Sequence, residues 1–136
     1  MRHPLIQRLF DEYNYPAIGI AAHDTFVRQP GVNVLFFAGD PQRFQDTTDV
    51  AVVLPELAQA FQGQLRPGVV EASAELELQK RYAFSAWPTL VFIRAGGYLG
   101  AITGIRNWSE YLEEIGRLLT AEPVHPPVFT ITRTGS

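Results

Sequence analysis

No cysteine occurs anywhere in the 136-residue chain. That absence excludes disulfides, thiolate nucleophiles, iron–sulfur clusters, sulfur-based zinc sites and every thiol–disulfide exchange run on the chain's own atoms. Methionine is nearly absent too, since Met1 is the only one. Basic residues are outnumbered, 11 Lys and Arg against 14 Asp and Glu, for a net charge of −3 and a pI near 5.5. Nucleic-acid binding is therefore not expected, because it needs a basic face to displace counterions from phosphates. Long apolar runs are missing as well: stretches such as residues 34–38 and 90–93 fall far below the ~20 residues that span a bilayer. The stretch that follows Met1-Arg2-His3-Pro4 has neither the apolar core nor the small-residue cleavage site of a secretory signal. These absences lead us to expect a cytoplasmic protein without membrane insertion.

What is present is ordinary globular material, 46% hydrophobic and 18% charged, which suits one domain and not two. We expect that domain to cover residues 1–122, including an N-terminal helix, with a Pro/Thr-rich tail over 123–136. Leu5, Ile6, Leu9, Phe10 and Tyr13 recur at helical spacing behind Pro4. Residues 17–22 read as an edge strand, and Asp24 to Val27 as a one-turn helix ended by Pro30-Gly31. Residues 32–38 show little alternation, the sign of a strand covered on both faces. From Val50 a helical stripe runs through Val53, Leu54, Leu57, Ala58 and Phe61, and Pro55 inside it predicts a kink. Residues 65–71 form a second inner strand interrupted by Pro67-Gly68, and Ser73 is placed to cap a helix that reaches Tyr82. Strands at 89–94 and 98–103 flank Ala95-Gly96-Gly97, a three-residue hairpin connection. Asn107 and Glu110 form a capping box for a last helix whose buried face is Trp108, Tyr111, Leu112, Ile115, Leu118 and Leu119. Strands that alternate with helices and end in a hairpin predict an α/β fold, a central mixed β-sheet with helices on both faces.

That element order, with Tyr82-Ala83-Phe84-Ser85-Ala86-Trp87-Pro88-Thr89-Leu90 and Gly96-Gly97-Tyr98-Leu99, resembles the thioredoxin fold over roughly residues 24–120. The resemblance implies that Pro88 is a cis-proline beside the site. It also implies that Pro41 and Phe44 stand where the two redox thiols would be, and Leu35 where a buried proton-handling carboxylate would be. Phe36-Phe37-Ala38-Gly39-Asp40-Pro41 in place of the redox loop, then Asp49-Val50-Ala51-Val52-Val53-Leu54-Pro55-Glu56-Leu57, Arg66-Pro67 and Trp87-Pro88-Thr89, is similar to the HupG/HyaE family of hydrogenase-maturation accessory proteins. That likeness implies a non-catalytic cytoplasmic chaperone with no cofactor. Its implied partner is the precursor of the [NiFe] uptake-hydrogenase small subunit with its twin-arginine signal peptide, and other maturation proteins are further partners.

Charge along the chain agrees with a cationic partner. Residues 1–39 are neutral, residues 40–77 carry −5 and residues 78–136 carry +2. The acidic third contains the replaced redox loop. Candidate peptide-binding residues are thus Asp40, Pro41, Phe44, Asp46, Asp49, Trp87 and Pro88: carboxylates pair with guanidinium groups, and rings bury apolar surface. Simpler roles compete. Asp40 before a proline also forms turns, Asp46 and Asp49 also suit a helix start, and Glu71, Glu75 and Glu77 fit a solvated first turn favoured by the helix dipole. Two other functions stay open, a glutathione-linked enzyme using an external thiol and a structural subunit that contacts its complex through the tail. His3, His23 and His125 have no ligand spacing, and no serine lies in a nucleophile elbow.

Overall fold

The computed structural model describes residues 3–124; the expected tail from residue 125 onward lies outside them. Helix α1 (Pro4–Asp11) starts at His3, whose Nδ1 accepts from the Leu5 N–H, with Pro4 in the first turn. Then follow β1 (Ala17–Ile18), α2 (Ile20–Val27), β2 (Val32–Phe37), α3 (Asp46–Ala60), β3 (Leu65–Val70), a single turn of tight helix at Ala72–Ala74, α4 (Glu75–Tyr82), β4 (Thr89–Arg94), β5 (Gly97–Thr103) and α5 (Trp108–Leu119). The five strands form one mixed sheet in the order β1-β3-β2-β4-β5. β1, β3 and β2 are mutually parallel, and β4 runs antiparallel to both β2 and β5.

Alternation along β2 explains why both faces are covered. Val32, Val34 and Phe36 join Ile6 and Leu9 of α1, Val50, Ala51, Leu54 and Leu57 of α3, and Tyr111, Ile115 and Leu118 of α5 in one core layer. Leu35 and Phe37 point the other way, into a layer with Phe26 and Val27 of α2 and Leu78 and Tyr82 of α4. Leu35 is 0% exposed, so an apolar side chain fills the interior position where the resemblance would put a carboxylate.

Several local expectations change. Residues 20–22 belong to α2, leaving β1 only two residues. β3 runs straight through Pro67-Gly68. The N–H groups of Val69 and Glu71 donate to Pro16 and Ile18 across the β1 edge. Two residues back in that alternation the donor position falls on Pro67, beyond the end of β1, so the ring stands where an N–H would face an open edge. Gly68 is required by packing, since a Cβ there would come within 2.8 Å of Phe26 and 2.9 Å of Ile18. α3 begins one turn before Val50 and includes Pro55 within its span. Ser73 sits in the tight turn and caps nothing; the residue preceding α4 is Ala74. The hairpin connection is two residues, Ala95 and Gly96, both with positive φ (51° and 80°). That pair matches the right-handed twist of the flanking strands. Trp108, expected in the buried face of α5, is 42% exposed.

After α5 the chain is fastened to the hairpin. Arg94 donates to the carbonyls of Leu119 and Ala121, Pro123 packs on Gly97, and Val124 pairs with Tyr98.

Candidate functional site

β2 ends at Phe37 and the chain turns sharply at Gly39, whose φ of +73° is a glycine conformation. A Cβ on Gly39 would also lie 2.8 Å from Phe44 and 2.8 Å from Trp87. The next residues fold into a tight turn. The Asp40 carboxylate accepts from the Gln42 N–H at 2.9 Å, and its carbonyl accepts from Arg43 and Phe44, both at 2.9 Å. Asp40 therefore shapes the loop, while its side chain remains exposed to solvent. Phe44 is thereby laid against Trp87, ring centroids 6.0 Å apart and 25° from parallel, with the Arg43 guanidinium 5.2 Å from the Phe44 ring. Trp87 meets Phe84 edge-on at 5.4 Å, and Phe84 meets Phe37 at 4.6 Å. An unbroken series of rings thus joins the loop to the second core layer.

The Trp87–Pro88 peptide bond is cis. Gly104 donates to the Pro88 carbonyl at 2.8 Å, and the hydroxyls of Thr89 and Thr103 meet at 2.9 Å, so β4 and β5 fix Pro88 between them. Trp87 itself has neither its main-chain N–H nor its carbonyl paired among the described residues.

The structure brings Asp40, Pro41, Phe44, Trp87 and Pro88 together at one end of the sheet. Asp46 and Asp49 are set apart from Trp87, on the α3 side that faces α5. The Asp46 carboxylate accepts from the Ile105 N–H at 3.3 Å, and both aspartates add slightly to the rise that burial imposes on the Tyr111 hydroxyl, against the opposing pull of Arg106. Asp46 thus ties the start of α3 to the segment after β5, and Asp49 stays exposed.

Glu75, expected in a solvated first turn, is instead half-buried, and its Oε2 accepts the Gly39 N–H at 3.1 Å. The buried Trp87 indole N–H lies against the same carboxylate without closing a hydrogen bond of good geometry. Burial raises the Glu75 carboxyl above its ordinary range, while the Gly39 amide, the Trp87 indole and the Ala38 amide each offset part of that rise. Glu71 and Glu77, by contrast, are exposed as expected. Sequence reasoning missed Thr47: it is fully buried, and its hydroxyl donates to the Ala38 carbonyl at 2.6 Å, anchoring the far side of the loop. No local sequence signal marks either residue, since both contacts cross between elements.

A second polar cluster lies between α2 and α4. His23, 3% exposed, places Nδ1 2.8 Å from Asp24 and Nε2 2.5 Å from the Tyr82 hydroxyl. With Asp24 ionised, Nδ1 carries the proton and Nε2 accepts from Tyr82. The hydrogen bond from His23, with a smaller contribution from the charge of Arg81, holds the Asp24 carboxyl below its usual range against the opposing effect of desolvation. A groove of about 540 Å³ opens on the β1 edge of the sheet, lined by Tyr15, Ile18, Phe26, Gln29 and Pro67 among others, and none of the candidate residues reaches it.

Comparison with known proteins places this fold in a family. Residues 5–111 match the family profile described as hydrogenase-1 expression protein HyaE. The chain is 49% identical over 122 residues to the hydrogenase expression/formation protein HoxO of Azotobacter vinelandii, covering 90% of this chain and 82% of that one. It is 40% identical over 122 residues to the hydrogenase expression/formation protein HupG of Rhodobacter capsulatus, covering 88% of each. The crystal structure of a hydrogenase expression/formation protein HupG from Rhodopseudomonas palustris superposes with a TM-score of 0.56 at 40% identity, over 76% of this chain and 94% of that one. With its thioredoxin-like α/β fold and cysteine-free loop, the chain belongs to the HyaE family of hydrogenase expression and formation proteins.

Proposed function

We propose that this protein is a non-catalytic chaperone in [NiFe] uptake-hydrogenase formation, which holds the small-subunit precursor and its twin-arginine signal peptide in the cytoplasm before export. The observation that carries the reading is the unpaired main chain of Trp87, set beside the Phe44 ring and the exposed Asp40 carboxylate. An extended peptide pairs with such an edge as an added strand and needs no side-chain chemistry from its host. Carboxylates along the rim accept guanidinium groups, and the rings cover apolar side chains. The chain's own residues supply no thiol for an exchange reaction, so binding is the whole of the function proposed. Among the described residues no helix is long and apolar enough to cross a membrane, which suits capture before export.

Isothermal titration with a peptide bearing the twin-arginine motif tests this reading. Saturable binding that weakens as salt screens the charges is expected. Unchanged affinity after both arginines become glutamine would refute the acidic-rim account.

A further inference from the structure

The same end of the sheet carries a second aromatic surface that core packing does not explain. Trp108 opens α5 and is 42% exposed, and Ile105, three residues earlier, is 37% exposed. The helix has no need of that indole, because Asn107 and Glu110 complete its capping box and Tyr111, Ile115 and Leu118 supply its buried face. Two connections tie this surface to the Trp87–Pro88 site. Gly104, immediately before Ile105, donates to the Pro88 carbonyl. Asp46 accepts from the Ile105 N–H, while Phe44, two residues before it, stacks on Trp87. One short segment of chain therefore touches Trp87 with one side chain and Ile105 with another.

We propose that Ile105 and Trp108 form an apolar seat for the same partner, taking the apolar run that follows the paired arginines while Trp87 and the Asp40 loop take the arginine-bearing stretch. This rests on the chaperone reading above. Charge complementarity selects that occupant: Asp40, Asp46, Asp49 and Glu110 border the two surfaces, opposed by Arg43 and Arg106. Arg43 is held over the Phe44 ring and Arg106 donates to the Thr103 carbonyl at 3.2 Å. A purely apolar partner would leave this excess of carboxylates unmatched, whereas a segment that is cationic and then apolar satisfies both halves. An exposed tryptophan next to such a rim is the kind of anchor that dominates interface energetics.

The chain's two tryptophans, one at each seat, make the test direct. Nitrogen-edited NMR of the full chain shows one indole N–H signal for each, assigned with W108F. Two peptides are titrated, one with paired arginines followed by an apolar run, the other with that run replaced by serines. The first is expected to move both signals and the second only that of Trp87. Trp108→Ala should weaken the first peptide at least about tenfold and leave the second unchanged. Movement of the Trp87 signal alone by the first peptide, or unaltered affinity in Trp108→Ala, overturns the seat while the reading of the Trp87 site stands. Movement of neither signal overturns both. Movement of Trp108 alone, or equal weakening of both peptides, overturns the division of labour proposed here.

Discussion

Gly39 carries more of the site than any other single residue. Its backbone is in a conformation that L side chains avoid, and its missing Cβ is the space into which Phe44 and Trp87 close. Gly39→Ala combines backbone strain with overpacking, each about 1–3 kcal/mol. We expect about 2–6 kcal/mol of lost stability in urea denaturation, with a change in tryptophan fluorescence as the Phe44 stack opens. Glu75 gives a prediction of opposite character. Its carboxyl is raised in the folded state, so the fold favours the protonated form. The unfolded chain then releases its proton at lower pH than the folded one, and stability falls as pH climbs from the ordinary glutamate range through the raised value. Glu75→Gln removes that slope and keeps an acceptor for the Gly39 N–H. Urea midpoints measured from pH 4 to pH 7 should show the variant gaining on the parent as pH rises; a constant difference would contradict this.

Among the elements, α5 was the most legible and β3 the least. The capping box was readable because both halves lie in one turn: Asn107 Oδ1 accepts the Glu110 N–H at 2.9 Å, and Glu110 accepts the Asn107 N–H at 3.2 Å. Asn107→Ala should cost about 1 kcal/mol, measured as a lower denaturation midpoint with an unchanged slope. The exposure of Trp108 was not readable, because helical periodicity places a residue on a face without showing where the neighbouring element ends. In β3, Pro67 and Gly68 look like a break to any rule that considers one strand alone. They become acceptable only because Pro67 meets an open edge and Gly68 lies under Phe26 and Ile18. α3 likewise passes Pro55 because buried contacts from Val50 to Leu57 hold it on both sides of the ring.

Four of the five tyrosines are wholly or partly buried, Tyr13 being the exposed one, and this sets the alkaline limit of the molecule. Burial pushes Tyr15 up to about 12, and raises Tyr82, Tyr98 and Tyr111 as well. Stability from these groups is fully present below the unfolded tyrosine value near ~10 and is lost as pH rises through the folded values. Absorbance titration should show these four ionising together with loss of the circular-dichroism signal, and four tyrosinates in an intact fold would contradict this. At this scale the sequence by itself determined the layer architecture, the absence of thiol chemistry and the acidity around the loop. Those follow from composition and from periodicities of two and 3.6, which are properties of neighbours along the chain. Only the tertiary structure decided that Glu75 serves the Gly39 loop, that Asp46 and Asp49 part from Trp87, that His23 is buried against Tyr82, and that Trp108 is left in solvent. The physical reason is common to all four: each depends on which surface another element presents across space, and contacts between distant segments leave no periodic trace in either one.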